Sequence, residues 1–195
     1  MIYIGLDIDE TIIKAVEYHG LSDRPDDAEF YFELFQPNYT EKFAVYKRNY
    51  LDEFIYKINK NFNIFFYTRA DRVYAETILT HLKLDKYPLF AREQTIKKEE
   101  LLDPISGNII TYYLKDLQIV ADNLNINIED IIFIDDVVNE RELKQTNLAI
   151  KIPEFNIYDN DFDLKIILNH IESAFVKYEN DNYFKDYIRS LNFYW

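Results

Sequence analysis

Apolar residues fall into two patterns along this chain. In the first, short runs are apolar at nearly every position: Ile2-Tyr3-Ile4-Gly5-Leu6, Asn63-Ile64-Phe65-Phe66-Tyr67 and Ile131-Ile132-Phe133-Ile134. Runs that do not alternate with polar residues predict strands buried on both faces, as in a parallel sheet covered by helices. In the second, apolar residues recur every three or four positions. Leu51, Phe54, Ile55 and Ile58 predict a helix within Tyr50–Asn61. Asp71 is placed to cap a helix running to about Leu84, with Val73, Ile78, Leu79 and Leu82 facing inward. Leu117–Leu124 and an amphipathic Phe162–Tyr178 continue the series, and Asn139–Gln145 reads as a short helix. Leu148–Ile152, halted by Pro153, reads as a fourth core strand. This alternation predicts right-handed crossovers and an α/β fold: a doubly wound, Rossmann-like, mainly parallel sheet flanked by helices.

Two stretches interrupt the alternation. Ala15–Tyr18 and Phe30–Phe35, on either side of the acidic loop 22–29, read as a hairpin-like excursion after the first strand, and Ala44–Tyr46 as a further strand. Residues 85–114 are less regular: Pro104 and Ser106-Gly107-Asn108 mark turns, and Ile109–Leu114 reads as a strand. No repeat or linker divides the 195 residues, so one domain over 1–195 is expected. The segment 179–195 is aromatic at roughly helical spacing from Tyr183 to Trp195. It is expected to form a helix docked on its own domain; a homodimer through this segment is the alternative.

Composition narrows the function classes. Hydrophobic residues make up 48% of the chain, enough to build a core. The net charge of -13 argues against nucleic acid as the main partner and suits a basic peptide better. The absence of cysteine excludes disulfides, thiolate catalysis and zinc-thiolate sites. His19, His81 and His170 are scattered and form no ligand pattern. The first strand begins at once, leaving no room for a signal peptide, and no apolar run approaches the ~20 residues of a membrane helix. A soluble intracellular protein of cytoplasm or nucleus, with no membrane partner, is expected.

The chemistry sits where the apolar runs stop. The first run ends in Asp7-Ile8-Asp9-Glu10-Thr11, the second at Thr68-Arg69 and the third at Asp135-Asp136. In a parallel sheet the ligand crevice lies beyond the carboxyl ends of the strands, so these residues should converge at one rim. Two carboxylates two residues apart raise each other's pKa unless a cation lies between them. An EF-hand calcium loop is rejected, because its sixth and twelfth positions would be Ile12 and Tyr18. Lys115 stands just before a helix, where the macrodipole disfavours a cation. Taken alone it reads as a surface lysine. A bound anion would reverse the energetics, and a phosphoryl group on magnesium would supply both the anion and the cation.

The ordered motifs resemble a known family. Asp7-Ile8-Asp9-Glu10-Thr11 resembles the D-x-D-x-T signature of haloacid-dehalogenase-type phosphatases. Phe66–Ala75 is similar to the "T-A-S…Y-A" segment of the polymerase-tail (FCP/SCP-like, or NIF-type) phosphatases, and Ala91-Arg92-Glu93 to their "R-E" element. Tyr113-Leu114-Lys115-Asp116-Leu117 resembles "Y-x-K-D-L", and Ile132–Asp136 resembles "I-I-D-D/N". Ala149–Pro153 followed by Asp159–Leu168 is similar to the closing stretch, so the resemblance spans about residues 2–175. It implies a nucleophile at Asp7, giving an aspartyl-phosphate, and an acid and then base at Asp9. It implies phosphoryl contacts from Thr68 and Lys115, and Mg2+ held by Asp7, the Asp9 carbonyl and Asp135, with Asp136 adjacent. Thr11 would shape the loop and orient Asp9, and it joins Thr68, Arg69 and Lys115 among the substrate-binding residues.

Several positions depart from the family pattern. Arg69-Ala70 stands where a serine follows the threonine motif, and Arg69 reads equally as a phosphate contact or a solvated side chain. Arg48-Asn49-Tyr50 stands where the family tends to show "R-P-G". Only strands and a helix separate Asp9 from Thr68, so no separate cap domain is expected. An open site favours a phosphoprotein or phosphopeptide substrate over a small metabolite. A binding or scaffold relative that has lost catalysis, and a small-molecule phosphatase, are the competing readings. All five of Asp7, Asp9, Thr68, Lys115 and Asp135 are present, which favours the enzyme.

Overall fold

Among the described residues the chain forms ten strands and five helices: β1 (Tyr3–Leu6), β2 (Ile13–Glu17), β3 (Phe30–Phe35), β4 (Thr40–Lys47), α1 (Leu51–Ile58), β5 (Asn63–Tyr67), α2 (Arg72–His81), β6 (Leu89–Phe90), β7 (Ile96–Asp103), β8 (Asn108–Leu114), α3 (Leu117–Leu124), β9 (Ile131–Asp135), β10 (Ala149–Lys151), α4 (Asp163–Lys177) and α5 (Asp181–Ser190). The computed structural model describes residues 1–20, 22–103, 108–177 and 181–191. The expected turn at Pro104 to Gly107 and the last four residues of the aromatic tail lie outside the described residues.

The non-alternating runs form the middle of a parallel sheet in the order β10-β9-β1-β5-β6. Ile4 pairs with Ile64 on one side and Ile132 on the other, and Leu6 with Phe66 and Ile134. Residues of one parity face α1, α2, α4 and α5: Ile4, Leu6, Ile64, Phe66, Ile132 and Ile134 pack there. Residues of the other parity, Phe65, Tyr67 and Phe133, pack under α3. Both faces are therefore dry, as the doubly wound expectation required. Gly5 belongs to the second face, where Phe65 and Phe133 lie with centroids 6.2 Å apart. A Cβ at Gly5 would meet Phe65 Cζ at 2.2 Å, so only glycine fits there. The first strand is central, and the chain runs to β5 and β6 on one side before returning to β9 and β10 on the other. The carboxyl end of β1 is thus a topological switch point, where open α/β sheets bind ligands.

The insertions are two antiparallel units. A three-stranded sheet, β2-β4-β3, follows the first strand, and β7 and β8 form a two-stranded one. Between Asp9 and Thr68 the described residues hold only β2, β3, β4, α1 and β5, with no cap domain. No helix among the described residues is long and apolar enough to cross a membrane.

Some elements differ from expectation. Asn139–Gln145 is not a helix. Its backbone makes a parallel bridge between Leu143 and Lys115, and a 3₁₀ turn follows at Thr146–Leu148. Lys115 takes the hydrogen bonds that a helix would have needed. Strands β6 and β7 appear in the stretch read as irregular. Val73 is exposed, and Ala75, Ile78 and Leu79 face the core instead. Asp71 occupies the N-cap of α2 but makes no cap bond, because Arg92 Nη1 donates to its carboxylate at 2.9 Å.

The C-terminal helix α5 docks on its own chain. Phe184 and Ile188 are buried, and the Phe184 ring stacks on Phe62 at 5.5 Å. Lys185 donates to Asp130 at 2.8 Å, and Arg189 donates to the carbonyl of Ile131 at 2.9 Å. The docked helix expected of this segment is what forms, and the alternative of a homodimer through it is not supported, since Phe184 and Ile188 are buried within the chain.

Candidate active site

The loop after β1 builds the first part of the site. The N–H of Asp7 donates to the Ile134 carbonyl at 2.9 Å, extending the sheet one residue past β1. The chain then turns sharply: Glu10 has φ 61, and its N–H donates to the Ile13 carbonyl at 2.8 Å. This turn buries Thr11 completely. Its hydroxyl donates to Asp136 Oδ1 at 3.1 Å and accepts from the Asp136 N–H at 3.0 Å, tying the β1 and β9 exits together.

Lys115 arrives from the end of β8. Its N–H donates to the Glu142 carbonyl at 2.8 Å, and its own carbonyl accepts from Lys144 N–H at 2.9 Å. Asp116 then caps α3, accepting from Gln118 N–H at 3.0 Å. Held this way, the side chain runs inward under the rim rather than out to water. Lys115 Nζ donates to Asp7 Oδ1 at 2.6 Å and to Asp135 Oδ2 at 2.7 Å, and the residue is 2% exposed. The surface-lysine reading is therefore wrong, because the two carboxylates compensate the buried ammonium. The other Asp135 oxygen accepts from Val137 N–H at 2.9 Å.

Thr68 follows β5 and is also buried. Its N–H donates to the Phe90 carbonyl at 2.9 Å, and its Oγ1 accepts from Ala70 N–H at 3.0 Å. Asp7, Asp9, Thr68, Arg69, Asp136 and Glu154 line an open cleft of about 320 Å³. Arg69 stands at its edge with the guanidinium paired to Glu142. The strand ends thus bring Asp7, Asp9, Thr68, Asp135 and Asp136 to one rim, with Lys115 beneath it.

Negative charge is in excess here. Asp7, Asp135 and Asp136 each offer an oxygen within 4.8 Å of the others. Burial pushes the Asp7 carboxyl well above the usual carboxylate range; Lys115 opposes this, and Asp135 and Asp9 reinforce it. Burial also raises Asp136, with Asp135 adding to the shift, to about 6. Burial alone would lower Lys115, but Asp135 and Asp7 outweigh it and hold the ammonium above its ordinary range. Three converging hard oxygen donors, with more negative charge than one lysine balances, fit a divalent cation. The Asp9 carboxylate is outside that set: its Oδ1 accepts from the Tyr74 hydroxyl at 2.6 Å.

Two organising residues carried no signal of this kind in the sequence. Tyr74 stood in the "Y-A" motif without a role. Arg48 is 1% exposed, and its guanidinium donates to Asp161 Oδ2 at 2.6 Å, Asp163 Oδ2 at 2.7 Å, the Thr11 carbonyl at 3.0 Å and the Pro153 carbonyl at 2.9 Å. It thereby pins the loop carrying Thr11 to the start of α4. Tyr50, at the glycine place of "R-P-G", takes the left-handed conformation with φ 64. The sequence showed Arg48 only as the first residue of the altered "R-P-G" motif, with nothing local to link it to Asp161 and Asp163, more than a hundred positions away.

Residues 3–182 match the family model of NLI interacting factor-like phosphatase. No curated protein matches. Among solved structures, fission yeast Fcp1, an RNA polymerase II CTD phosphatase determined as a variant bound to beryllium fluoride, is similar at 20% identity with a TM-score of 0.57. That match covers 85% of this chain and 45% of the other. A second structure of Fcp1, an essential RNA polymerase II CTD phosphatase, is similar at 17% identity and a TM-score of 0.53, covering 93% of this chain and 56% of the other. The chain therefore spans about half the length of these solved proteins, and the likeness establishes a shared fold.

Proposed function

The chain belongs to the NLI interacting factor-like phosphatase family, and from that premise we propose that it hydrolyses phosphate monoesters on phosphoserine or phosphothreonine of a protein tail. The observation that carries the reading is Lys115, buried and bridging Asp7 and Asp135. A lysine held between two aspartates at a sheet switch point neutralises both the nucleophile and an incoming phosphoryl group.

The steps then follow from the side chains. An Asp7 oxygen forms a bond to phosphorus as the bond from phosphorus to the leaving oxygen breaks. Asp9 gives its proton to that oxygen, and its raised pKa, caused by burial, keeps a proton available. Thr68 directs its hydroxyl hydrogen to a phosphoryl oxygen, its Oγ1 already accepting from Ala70. Asp9, now a carboxylate, takes a proton from water, whose oxygen attacks phosphorus and releases Asp7. Asp7, Asp135 and Asp136 would hold Mg2+, together with the Asp9 carbonyl; when bound, the ion supplies charge neutralisation at the phosphoryl oxygens. Arg69 and Thr11 complete the substrate side, Arg69 exchanging Glu142 for phosphate and Thr11 fixing Asp136.

The open cleft and the polymerase-tail activity of the similar solved proteins support a protein substrate over a small metabolite. The test is hydrolysis of a generic aryl phosphate with and without magnesium, with Asp7→Asn as the blank, followed by a phosphopeptide panel beside small phosphate esters. Activity requiring both magnesium and Asp7, with peptides preferred, is the expected result. Retained activity in folded Asp7→Asn would end the mechanism. No activity in folded, magnesium-loaded protein would favour a scaffold. Efficient turnover of small esters alone would overturn the substrate class.

A further inference from the structure

We propose that Tyr74 is a positioning residue for Asp9, fixing which of its oxygens carries the transferred proton and stabilising the carboxylate left behind. The inference rests on the reading of Asp9 as general acid. It begins from a contact that the chemistry above does not use. The Tyr74 hydroxyl donates to Asp9 Oδ1 at 2.6 Å, across 65 positions of sequence. Tyr74 sits in the first turn of α2, and its ring is bracketed by two rings of the three-stranded insertion: Phe43 edge-on at 5.4 Å and Phe32 at 5.7 Å. Those two rings stack on each other at 5.1 Å. At the other end of α2, Phe30 stacks on His81 at 4.4 Å. The insertion thus grips α2 at both ends, leaving the tyrosine ring little freedom to swing away from Asp9.

A phenol has one proton to give. With that proton directed at Oδ1, the acidic proton of Asp9 is assigned to Oδ2, the oxygen that would face the leaving group. In the transfer, the Oδ2–H bond breaks, the proton passes to the leaving oxygen, and the electron pair stays on Asp9 as carboxylate. The hydrogen bond from Tyr74 then becomes charge-assisted and therefore stronger than before transfer. A contact that strengthens as the reaction advances lowers the barrier rather than tightening substrate binding. A phenol ordinarily titrates at about 10, so at neutral pH the Tyr74 hydroxyl is the donor to Asp9 before and after the transfer.

The test compares leaving groups. A phosphoserine peptide releases a poor leaving group that needs protonation, whereas 2,4-dinitrophenyl phosphate releases one that does not. Tyr74→Phe keeps the ring in its bracket and removes only the hydroxyl. We expect kcat/KM for the peptide to fall roughly 10- to 100-fold, with the dinitrophenyl ester changed less than about twofold. In an Asp9→Asn background, Tyr74→Phe should have no further effect on the peptide, because the two residues act as one unit. Equal losses on both substrates would show a structural role and overturn the proposal, as would no loss on either. If Asp9→Asn itself shows no leaving-group dependence, the general-acid reading has failed and this proposal falls with it. If Asp9→Asn shows that dependence and Tyr74→Phe does not, only this proposal fails.

Discussion

A buried lysine is costly unless its charge is met, and Lys115 meets two carboxylates at once. This gives a prediction with two readouts. Lys115→Met keeps the length of the side chain and removes the charge, so kcat should fall roughly 100- to 1000-fold. In chelator the same variant should have a lower thermal midpoint than the parent, because Asp7 and Asp135 are left facing each other. Added magnesium should recover more of that midpoint in the variant than in the parent. A variant with near-normal kcat would reduce Lys115 to a structural counter-ion. The sequence made the aspartates legible because each closes an apolar run, and a strand end dictates where its next residue points. Burial of Lys115 was not legible: it depends on the bridge to Leu143, a pairing between segments 28 positions apart that leaves no periodicity. Tyr74 was hidden for a similar reason, since its hydroxyl matters only when α2 meets the loop after β1.

Elements show the same division between local and distant causes. The core strands and helices α1, α3 and α4 were readable because their apolar spacing is self-contained. Strand β7 was missed because Lys97, Lys98, Glu99 and Glu100 give it no apolar face to read. The expected helix at 139–145 failed because Lys115 claims its backbone. The joint between elements that depends most on one residue is Arg48, whose guanidinium satisfies Asp161, Asp163 and two main-chain carbonyls. Arg48→Met removes the charge while keeping bulk, and leaves those buried acceptors unpaired. It should cost about 3–5 kcal/mol of stability, read as a shift in denaturant midpoint at unchanged slope. Asp163→Asn removes only the more exposed partner and should cost well under half as much. Equal costs would mean that the α4 start, not the guanidinium, holds the joint. A drop in kcat that accompanies Arg48→Met would trace the path from this joint through the Thr11 carbonyl to Asp136.

At the scale of the whole molecule the net charge of -13 acts on anything that approaches the cleft. A phosphate monoester is itself an anion, so the field of the protein opposes its arrival, and the substrate's flanking residues must supply the attraction. The cleft mouth repeats the bulk sign: Glu10 and Glu154 stand there, with Lys14 shared between them at 2.5 Å and 3.0 Å. One lysine between two glutamates leaves a net negative rim. A phosphopeptide flanked by Lys or Arg should therefore show a lower KM than the same peptide flanked by Glu. Because exposed charges are screened beyond about 8 Å at physiological salt, the ratio of the two KM values should shrink as salt rises at fixed magnesium. Turnover at saturation should hardly change, since this field acts on encounter and not on the atoms that react. Lys14→Met should widen the ratio by uncovering both glutamates. A preference for acidic flanks at low salt would mean that local pairing with groups such as Arg69 outweighs the field of the molecule, and the search for the substrate would turn from basic tails to acidic ones.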